Sequence, residues 1–168
     1  MKTCIYGTGA IGGFLGFGLS QVPGVELSLV ARGANLKALQ ENGLTLERDG
    51  KSCTVAVVAT DDPAELGPQN YVIIALKSHQ AWETAEQIQP LLGPETAVLT
   101  CQNGVPWWYF HALKGPFAAT AITSVDPEAR QWLGVGPERA IGCVVYPATE
   151  LVAPGVIQHV YGDKFAIG

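Results

Sequence analysis

A glycine-rich turn directly after a short apolar segment constrains this chain more than any other feature. The apolar segment is Cys4–Tyr6, and a stretch compatible with a helix follows the turn. The turn, called the glycine turn below, consists of Gly7, Thr8, Gly9, Ala10, Ile11 and Gly12. A strand, a GxGxxG turn and a helix in this order open a βαβ unit of a parallel sheet. We therefore expect an α/β domain.

The three glycines of this turn predict a dinucleotide site, because each has a separate task in such turns. Gly7 permits the tight bend, Gly9 lets a pyrophosphate approach the backbone, and Gly12 lets the helix lie close to the strand. The N–H groups and the dipole at the start of the helix attract phosphates. All six residues of the glycine turn are thus candidate cofactor contacts. An ordinary glycine-rich strand-to-helix turn is the alternative.

The end of the second predicted strand indicates which dinucleotide would bind. An acidic residue at this point receives the ribose hydroxyls of NAD, whereas an arginine accommodates the 2′-phosphate of NADP. The chain has Val30-Ala31-Arg32 there, without Asp or Glu. Because the guanidinium of Arg32 is a planar and permanently charged donor, it suits a phosphate. The sequence therefore favours NADP, with a solvent-exposed surface arginine as the alternative.

Lys77 and Asn103 each follow an apolar strand segment. The carboxyl ends of parallel strands share one edge of the sheet, and ligands bind along that edge. Lys77 is a candidate contact for a cofactor or substrate oxygen, and the amide of Asn103 could hold a carbonyl or carboxamide. The alternatives are an exposed charge at a strand end for Lys77 and a turn residue before Gly104 for Asn103.

Hydrophobic periodicity and turn residues predict a Rossmann-like, mainly parallel sheet with helices on both faces and a β-rich C-terminal part, in one domain over residues 1–168. The predicted helices are Ala10–Gln21, Asn35–Glu41, Gln80–Gln89 with Ser78 as N-cap and Gly93-Pro94 as its end, and a short aromatic helix beginning at Pro106. The predicted strands are Lys2–Tyr6, Val25–Val30, Tyr71–Leu76, Ala97–Cys101, Phe117–Val125, Ile141–Tyr146, Val156–Tyr161 and Phe165–Ile167, with a hairpin around Asp49-Gly50. Gly168 is expected within or just after the last strand.

Composition excludes several classes of function. A net charge of −5 provides no basic field for nucleic acid. The uncharged stretch 96–113 is interrupted by Gln102-Asn103-Gly104 and Pro106, so no membrane span is expected. The N-terminus shows no signal region, which predicts a cytoplasmic protein. Charged residues make up 15% and hydrophobic residues 48%, so we expect some apolar surface to await a partner.

Cysteine and histidine spacing predicts neither a metal site nor a catalytic nucleophile. The four cysteines form no CxxC pair and are expected to be buried, reduced thiols. They are Cys4, Cys53, Cys101 and Cys143. The three histidines are isolated, and none stands beside a Ser or Cys in a nucleophilic pattern. The aromatic segment 107–110 is expected to be core or a packing surface.

With these residues in view, the sequence resembles the N-terminal domain of ketopantoate reductases, the NADPH-dependent enzymes of pantothenate biosynthesis. The resemblance covers the whole chain, and the order and spacing of the matching segments carry it. They are Gly7-Thr8-Gly9-Ala10-Ile11-Gly12-Gly13, Ala31-Arg32-Gly33, Ala75-Leu76-Lys77, Gln102-Asn103-Gly104-Val105 and Gly155-Val156-Ile157-Gln158-His159.

The resemblance implies a role for each candidate residue. The three glycines would bind the pyrophosphate, and Arg32 would bind the 2′-phosphate. Lys77 and Asn103 would face the nicotinamide and the carbonyl of a small 2-keto acid substrate, which in this family is ketopantoate. The family acid is a lysine in a following helical domain, which also holds a glutamate for the substrate hydroxyls. That domain would lie beyond Gly168 and is absent from this chain, so no residue up to Gly168 is expected to be the catalytic acid.

Three functions remain open from the sequence. The chain is expected to bind NADPH and to turn over slowly or not at all alone, because the proton donor is missing. A non-catalytic NADP-binding or sensing module is one alternative. A related reductase of another 2-keto acid is the other, since a fold does not determine the substrate. The sequence leaves homo-oligomer formation open.

Overall fold

The computed structural model describes residues 1–168 and contains two β-sheets. The strands are β1 (Lys2–Tyr6), β2 (Glu26–Val30), β3 (Leu44–Arg48), β4 (Lys51–Val55), β5 (Val58–Thr60), β6 (Gln69–Ile74), β7 (Leu92–Cys101), β8 (Ala140–Val145), β9 (Ala148–Ala153), β10 (Val156–Tyr161) and β11 (Phe165–Ile167). The helices are α1 (Ala10–Ser20), α2 (Gly33–Asn42), α3 (Ser78–Ala81) and α4 (Arg130–Gly134). Short 3₁₀ segments lie at Pro63–Glu65, Trp82–Thr84, Gln89–Leu91, Pro127–Ala129 and Pro137–Arg139.

The larger sheet has seven strands in the order β11-β8-β7-β6-β1-β2-β5. Every neighbouring pair is parallel except β11, which runs antiparallel to β8. The predicted α/β fold is therefore confirmed. From β1 the chain builds the sheet first towards β2 and β5 and then towards β6 and β7. In such sheets a crevice opens at the carboxyl end of the strand where the order reverses, and ligands bind there.

A second sheet has the order β4-β3-β10-β9. Its central pair is parallel, with Leu46 of β3 opposite Ile157 of β10. Helix α1 lies between the two sheets: Ile157 and Leu44 of the second sheet face Gly13, whereas Leu29 of the first sheet faces Gly16. These side chains belong to one buried apolar cluster. The second sheet is thus the outer cover of α1.

The glycines of α1 follow from this position between two sheets. Each glycine in a helix interior costs up to about 1 kcal/mol relative to alanine. Gly12, Gly13 and Gly16 are all buried, and a Cβ at Gly13 would lie 2.6 Å from side-chain atoms of Ile157. Close packing offsets the low helix propensity. The predicted close approach to a sheet is confirmed, and it occurs on two sides.

The predicted helix Gln80–Gln89 is wrong in extent. Helix α3 ends at Ala81, and the chain continues in 3₁₀ segments. The hydroxyl of buried Thr84 donates to the carbonyl of Ala81 at 2.7 Å and competes with a helical N–H for that acceptor. The N-cap position is held by Lys77 instead of Ser78, and no side chain caps the helix. Gly93-Pro94 belongs to β7.

The predictions for the long connection from β7 to β8 are also wrong. Residues 102–139 contain turns, 3₁₀ segments and α4, but neither an aromatic helix after Pro106 nor a strand at Phe117–Val125. Positive φ angles of 57° at Ala112 and 54° at Ala119 interrupt both patterns. The segment is anchored by Trp107, which is buried as core.

Other local predictions are confirmed. The hairpin of β3 and β4 turns at Asp49-Gly50, where both residues have positive φ, as two-residue hairpins require. The strands Lys2–Tyr6, Val156–Tyr161 and Phe165–Ile167 match their predicted bounds. Strands β5 and β9 and helix α4 have no counterpart among the predicted elements. None of the helices is both long and apolar enough to cross a membrane.

Candidate cofactor site at the edge of the parallel sheet

The glycine turn is tied to the end of β2. The N–H of Gly7 and the hydroxyl of Thr8 both donate to the carbonyl of Val30, each at 3.1 Å. Gly7 has a φ of +96°, and a Cβ there would collide with the side chain of Leu76. Position 7 therefore requires glycine for both conformation and space.

The other two glycines differ in what surrounds them. A Cβ on Gly12 would overlap the carbonyl oxygen of Gly7 and lie 3.1 Å from the Cβ of Ala75. The predicted task of Gly12, close contact between helix and strand, is confirmed. A Cβ on Gly9 would meet no atom within 4 Å. The backbone at Gly9 thus faces open space, and its predicted approach to a pyrophosphate stays a prediction.

The N-terminus of α1 carries no compensating negative charge. Gly9 is the N-cap without a side-chain cap, and no acidic residue stands in the first turn. The first bond of the helix runs from the N–H of Gly13 to the carbonyl of Gly9 at 2.8 Å. The preceding N–H groups have no partner within the helix. This arrangement is a general anion site.

Arg32 lies beside this helix end. It is exposed and is the N-cap residue of α2, and it forms no ion pair. It lines a cavity of about 310 Å³, called the first cavity, together with Gly7, Thr8 and Gly9. The structure therefore brings the predicted phosphate contacts together with one cation that forms no ion pair, although Glu83 also lines this cavity.

Lys77 and Asn103 line a second cavity of about 550 Å³ at the carboxyl ends of β6 and β7. Gly9, Ala10 and Ile11 of the glycine turn line it too. The two cavities share Gly9, Leu76 and Gln80, so they adjoin across the glycine turn. Lys77 and Asn103 thus lie at one edge of the sheet, as expected. Lys77 is exposed and makes no ion pair.

The amide of Asn103 is already partly used. Its Nδ2 donates to the carbonyl of Val145 at 3.0 Å, and its Oδ1 accepts from the N–H of Val145 at 2.9 Å. The side chain thereby pairs with β8 as a strand residue would. One N–H and one lone pair of the amide remain for a ligand. The interpretation of Asn103 as only a turn residue is incomplete, because its side chain ties the segment after β7 to β8.

Gly168 does not belong to the site at this edge. It follows β11 directly, as expected from the sequence. Its N–H donates to the carbonyl of Gly142 at 3.1 Å, and its carbonyl accepts from the N–H of Gly142 at 2.8 Å. It lines neither the first nor the second cavity. Gly168 thus extends the pairing of β11 with β8 and contributes no catalytic group, and the family lysine expected beyond it stays a prediction.

Several residues of the first cavity are not among the candidates from the sequence. They are Tyr6, Asn35, Gln80 and Glu83. Tyr6 donates from its hydroxyl to Oε1 of Gln87 at 2.6 Å. Burial raises the pKa of Tyr6 although nearby Arg32 lowers it. Asn35 follows Arg32 by three residues, about one helical turn along α2. This spacing is the sequence signal that could have indicated Asn35 as a site residue.

The cysteines at this edge are not nucleophiles. Cys101 lines the second cavity in register with Cys143 on β8. Burial, and then the neighbouring Cys143, raise the pKa of Cys101, and burial raises the pKa of Cys143. Both thiols therefore stay protonated near neutral pH. Cys4 is also buried, whereas Cys53 is exposed, so the expectation of burial is wrong for Cys53.

A larger cavity than either the first or the second lies elsewhere. It measures about 680 Å³ and is formed by α1 and the hairpin of β3 and β4, with Phe14, Phe17 and Leu46 in its wall. None of the predicted site residues lines it. Size alone would therefore misplace the site, whereas the helix end and the unpaired cation mark the sheet edge.

Known proteins resemble this chain over its whole length. The family model described as "Ketopantoate reductase PanE/ApbA" matches residues 3–168. A 2-dehydropantoate 2-reductase of Mesorhizobium japonicum is 51% identical over 168 residues, which is the whole of this chain and 52% of the relative. The chain spans about half the length of this relative.

Solved structures show the same fold. A candidate ketopantoate reductase of Ralstonia solanacearum superposes with a TM-score of 0.91 at 41% identity, over 98% of this chain and 51% of that chain. A 2-dehydropantoate 2-reductase of Geobacter metallireducens superposes with a TM-score of 0.79 at 27% identity, over 100% and 49%. With a family match across the glycine turn, Arg32, Lys77 and Asn103, the chain belongs to the ketopantoate reductase family.

Proposed function

We propose that this chain is the NADPH-binding half of a reductase that converts 2-dehydropantoate (ketopantoate) to pantoate in pantothenate and coenzyme A biosynthesis. Family membership supports the reaction class. One observation carries the choice of cofactor: Arg32 is exposed and without an ion pair, and it shares the first cavity with the uncapped N-terminus of α1. Two separate anion sites in one cavity suit the pyrophosphate and the 2′-phosphate.

The residues of the first cavity fit NADP by their chemistry. The N–H groups at the start of α1 would bind the pyrophosphate, and the open space at Gly9 leaves room for it. The guanidinium of Arg32 would bind the 2′-phosphate through charged hydrogen bonds. No acidic residue follows β2 at the position where NAD-binding sheets hold the ribose hydroxyls.

The second cavity would receive the nicotinamide and the keto acid. The nicotinamide ring supplies a hydride to the carbonyl when the cofactor is bound. The ammonium of Lys77 would attract a carboxylate or carbonyl oxygen of the substrate. The remaining N–H of Asn103 would donate to an amide or carbonyl oxygen, from a position held by its pair of bonds to Val145.

The proton donor is proposed to belong to the other half of the full-length protein. The relatives are about twice as long as this chain. The family resemblance places a lysine that acts as the general acid in a helical domain. Positioned acids contribute about 10²- to 10⁴-fold to such reactions. The chain alone is therefore proposed to bind NADPH with little or no turnover.

Some apolar side chains near the end of the chain are exposed. Ile167 of β11 and Val144 of neighbouring β8 are 64% and 49% exposed. Ile167 pairs with Cys143 and Val144 with Ala166, so the two side chains lie on opposite faces of the sheet. Scattered side chains of this kind do not mark a docking surface, and the expectation that apolar surface awaits a partner stays a prediction. A cytoplasmic location stays a prediction from the sequence. Homo-oligomer formation stays open.

Titration of the chain with NADPH and with NADH tests the cofactor assignment. We expect quenching of tryptophan fluorescence by both, with NADPH bound at least about tenfold more tightly, which corresponds to about 1.4 kcal/mol. Equal affinities would show that the 2′-phosphate does not contribute to binding. If neither nucleotide bound, the proposed function would be refuted. Adding ketopantoate to the NADPH complex should cause slow or no oxidation, whereas enzyme-like turnover would show that no second half is needed.

A further inference from the structure

Asn35 connects the glycine turn to the second sheet. Its Nδ2 donates to the carbonyl of Thr8 at 2.6 Å, and its Oδ1 accepts from the N–H of Gly155 at 2.7 Å. Thr8 belongs to the glycine turn, whereas Gly155 lies in the turn between β9 and β10. The three residues stand far apart in the chain, and Asn35 is only half-buried at the cavity wall.

The two bonds require the chemistry of a primary amide. The group at Thr8 is a carbonyl, which only accepts, and the group at Gly155 is an N–H, which only donates. Only one orientation of the Asn35 amide satisfies both. An aspartate could accept from Gly155 but would oppose the Thr8 carbonyl with a charged oxygen, and a leucine of similar volume would make neither bond.

The bond to Thr8 determines the direction of the next N–H group. A trans peptide is planar, so the carbonyl of Thr8 and the N–H of Gly9 point in opposite directions, and the chain has no cis peptide bond. When Asn35 holds the carbonyl on its own side, the N–H of Gly9 is directed away from Asn35. Gly9 lines both cavities and meets no neighbouring atom on its Cβ side.

The opposite end of the bridge is also held firmly. The carbonyl of Gly155 accepts from the N–H of Thr45 on β3 at 2.8 Å. Gly155 has a φ of +75°, and a Cβ at this residue would lie 3.2 Å from the carbonyl oxygen of Gly43. The β9–β10 turn is therefore tied to β3. The side chain of Asn35 thus links the second sheet to the glycine turn.

We propose that Asn35 is a positioning residue for the cofactor pyrophosphate: it sets the Thr8–Gly9 peptide so that the N–H of Gly9 points at the bound phosphates. The inference rests on the proposed function and names a residue that acts through the backbone. Arg32, at the start of the same helix, would contact the 2′-phosphate directly. The two roles are separable, because only one involves the glycine turn.

Two ligands and two variants test the proposal. NADPH contains both the pyrophosphate and the 2′-phosphate, whereas adenosine 2′-monophosphate contains only the latter. Asn35→Leu removes both bonds of the bridge. Gln40→Leu is the matched control, because Gln40 also lies on α2 and donates from its side-chain amide to the carbonyl of Ala59 at 2.9 Å, but it does not reach the glycine turn.

We expect Asn35→Leu to weaken NADPH binding about tenfold or more and to change the affinity for adenosine 2′-monophosphate less than about twofold. Gln40→Leu should leave both affinities unchanged. Thermal unfolding of both variants checks that they are folded. Equal losses for the two ligands would indicate a general structural effect and overturn the proposal, as would equal behaviour of the two variants. If the unaltered chain did not bind NADPH, the proposed function would fail as well.

Discussion

Gly13 of α1 lies directly under Ile157 of β10, so that a methyl group at position 13 would come within 2.6 Å of the isoleucine side chain. This contact joins the second sheet to the helix of the cofactor site. Ile157 is fully buried and belongs to an apolar cluster that also contains Leu44. The position of α1, and with it the glycine turn, therefore depends on a glycine that has no predicted ligand contact.

Replacement of Gly13 by alanine should destabilise the protein by about 1–3 kcal/mol, because the extra methyl group overpacks the contact with Ile157. Gly18→Ala is the matched control: it lies on the same helix, and its Cβ would meet no atom within 4 Å. This control should gain up to about 1 kcal/mol from helix propensity. Urea unfolding followed by circular dichroism measures both, and a Gly13→Ala protein as stable as the control would disprove the packing argument.

Replacement of Arg32 by alanine should weaken NADPH binding about tenfold to a hundredfold, since a hydrogen bond to a charged group contributes about 1.5–3 kcal/mol. NADH binding should change little, because NADH has no 2′-phosphate. Lys37→Ala on the same helix removes an exposed cation that pairs with Glu41 and should alter neither affinity. Fluorescence titration with both nucleotides is the measurement. Parallel losses for NADPH and NADH would show that Arg32 does not read the 2′-phosphate.

Replacement of Gly9 by alanine should separate folding from binding. The new Cβ meets no protein atom within 4 Å, and φ at Gly9 is −85°, which alanine tolerates, so the free energy of unfolding should change by less than about 0.5 kcal/mol. The methyl group would stand where the pyrophosphate approaches, and NADPH affinity should fall at least about tenfold. Isothermal titration together with urea unfolding tests this. Unchanged NADPH affinity would place the phosphates elsewhere.

Stability should decrease in alkaline solution because of Cys4. Burial raises the pKa of this thiol from 9.0 to about 12, against a smaller opposite effect of a hydrogen bond with Ser28. The folded state holds the proton more tightly than the unfolded state, so the stabilisation is complete below pH 9 and is lost as the pH rises towards 12.

The predicted slope is at most about 1.4 kcal/mol per pH unit for one such group. Cys4→Ala should flatten the dependence, and Cys53→Ala should not, because Cys53 is exposed. Unfolding by urea at several pH values between 9 and 12 provides the comparison. Identical slopes for the two variants would contradict the assignment to Cys4.

The local features are predictable because short stretches determine them. The glycine turn, the strand before it and the hairpin at Asp49-Gly50 depend on backbone conformations that neighbouring residues specify. The position of Arg32 after β2 is predictable for the same reason, since it follows from the length of one βαβ unit. Lys77 and Asn103 are predictable at one edge of the sheet because parallel strands have their carboxyl ends on the same side.

The remaining features are not visible in the hydrophobic pattern. The bond from the Thr84 hydroxyl to the carbonyl of Ala81 is local, but apolar periodicity does not show that it accompanies the end of α3. Both sides of the Asn103 amide pair with Val145, 42 residues away, and no local pattern indicates that partner. The segment Phe117–Val125 has the apolar pattern of a strand, yet it forms turns.

The sequence by itself determined the βαβ opening, the class of ligand favoured by the glycine turn and the charge offered by Arg32. Only the tertiary structure showed that the parallel pairing of β3 with β10 forms a second sheet over α1, and that Asn35 uses this sheet to hold the carbonyl of Thr8. Turn chemistry and side-chain charge are properties of a few adjacent residues. Strand pairing between segments so distant in the chain is a property of the folded protein, because it depends on which apolar faces remain to be covered once the first sheet has formed.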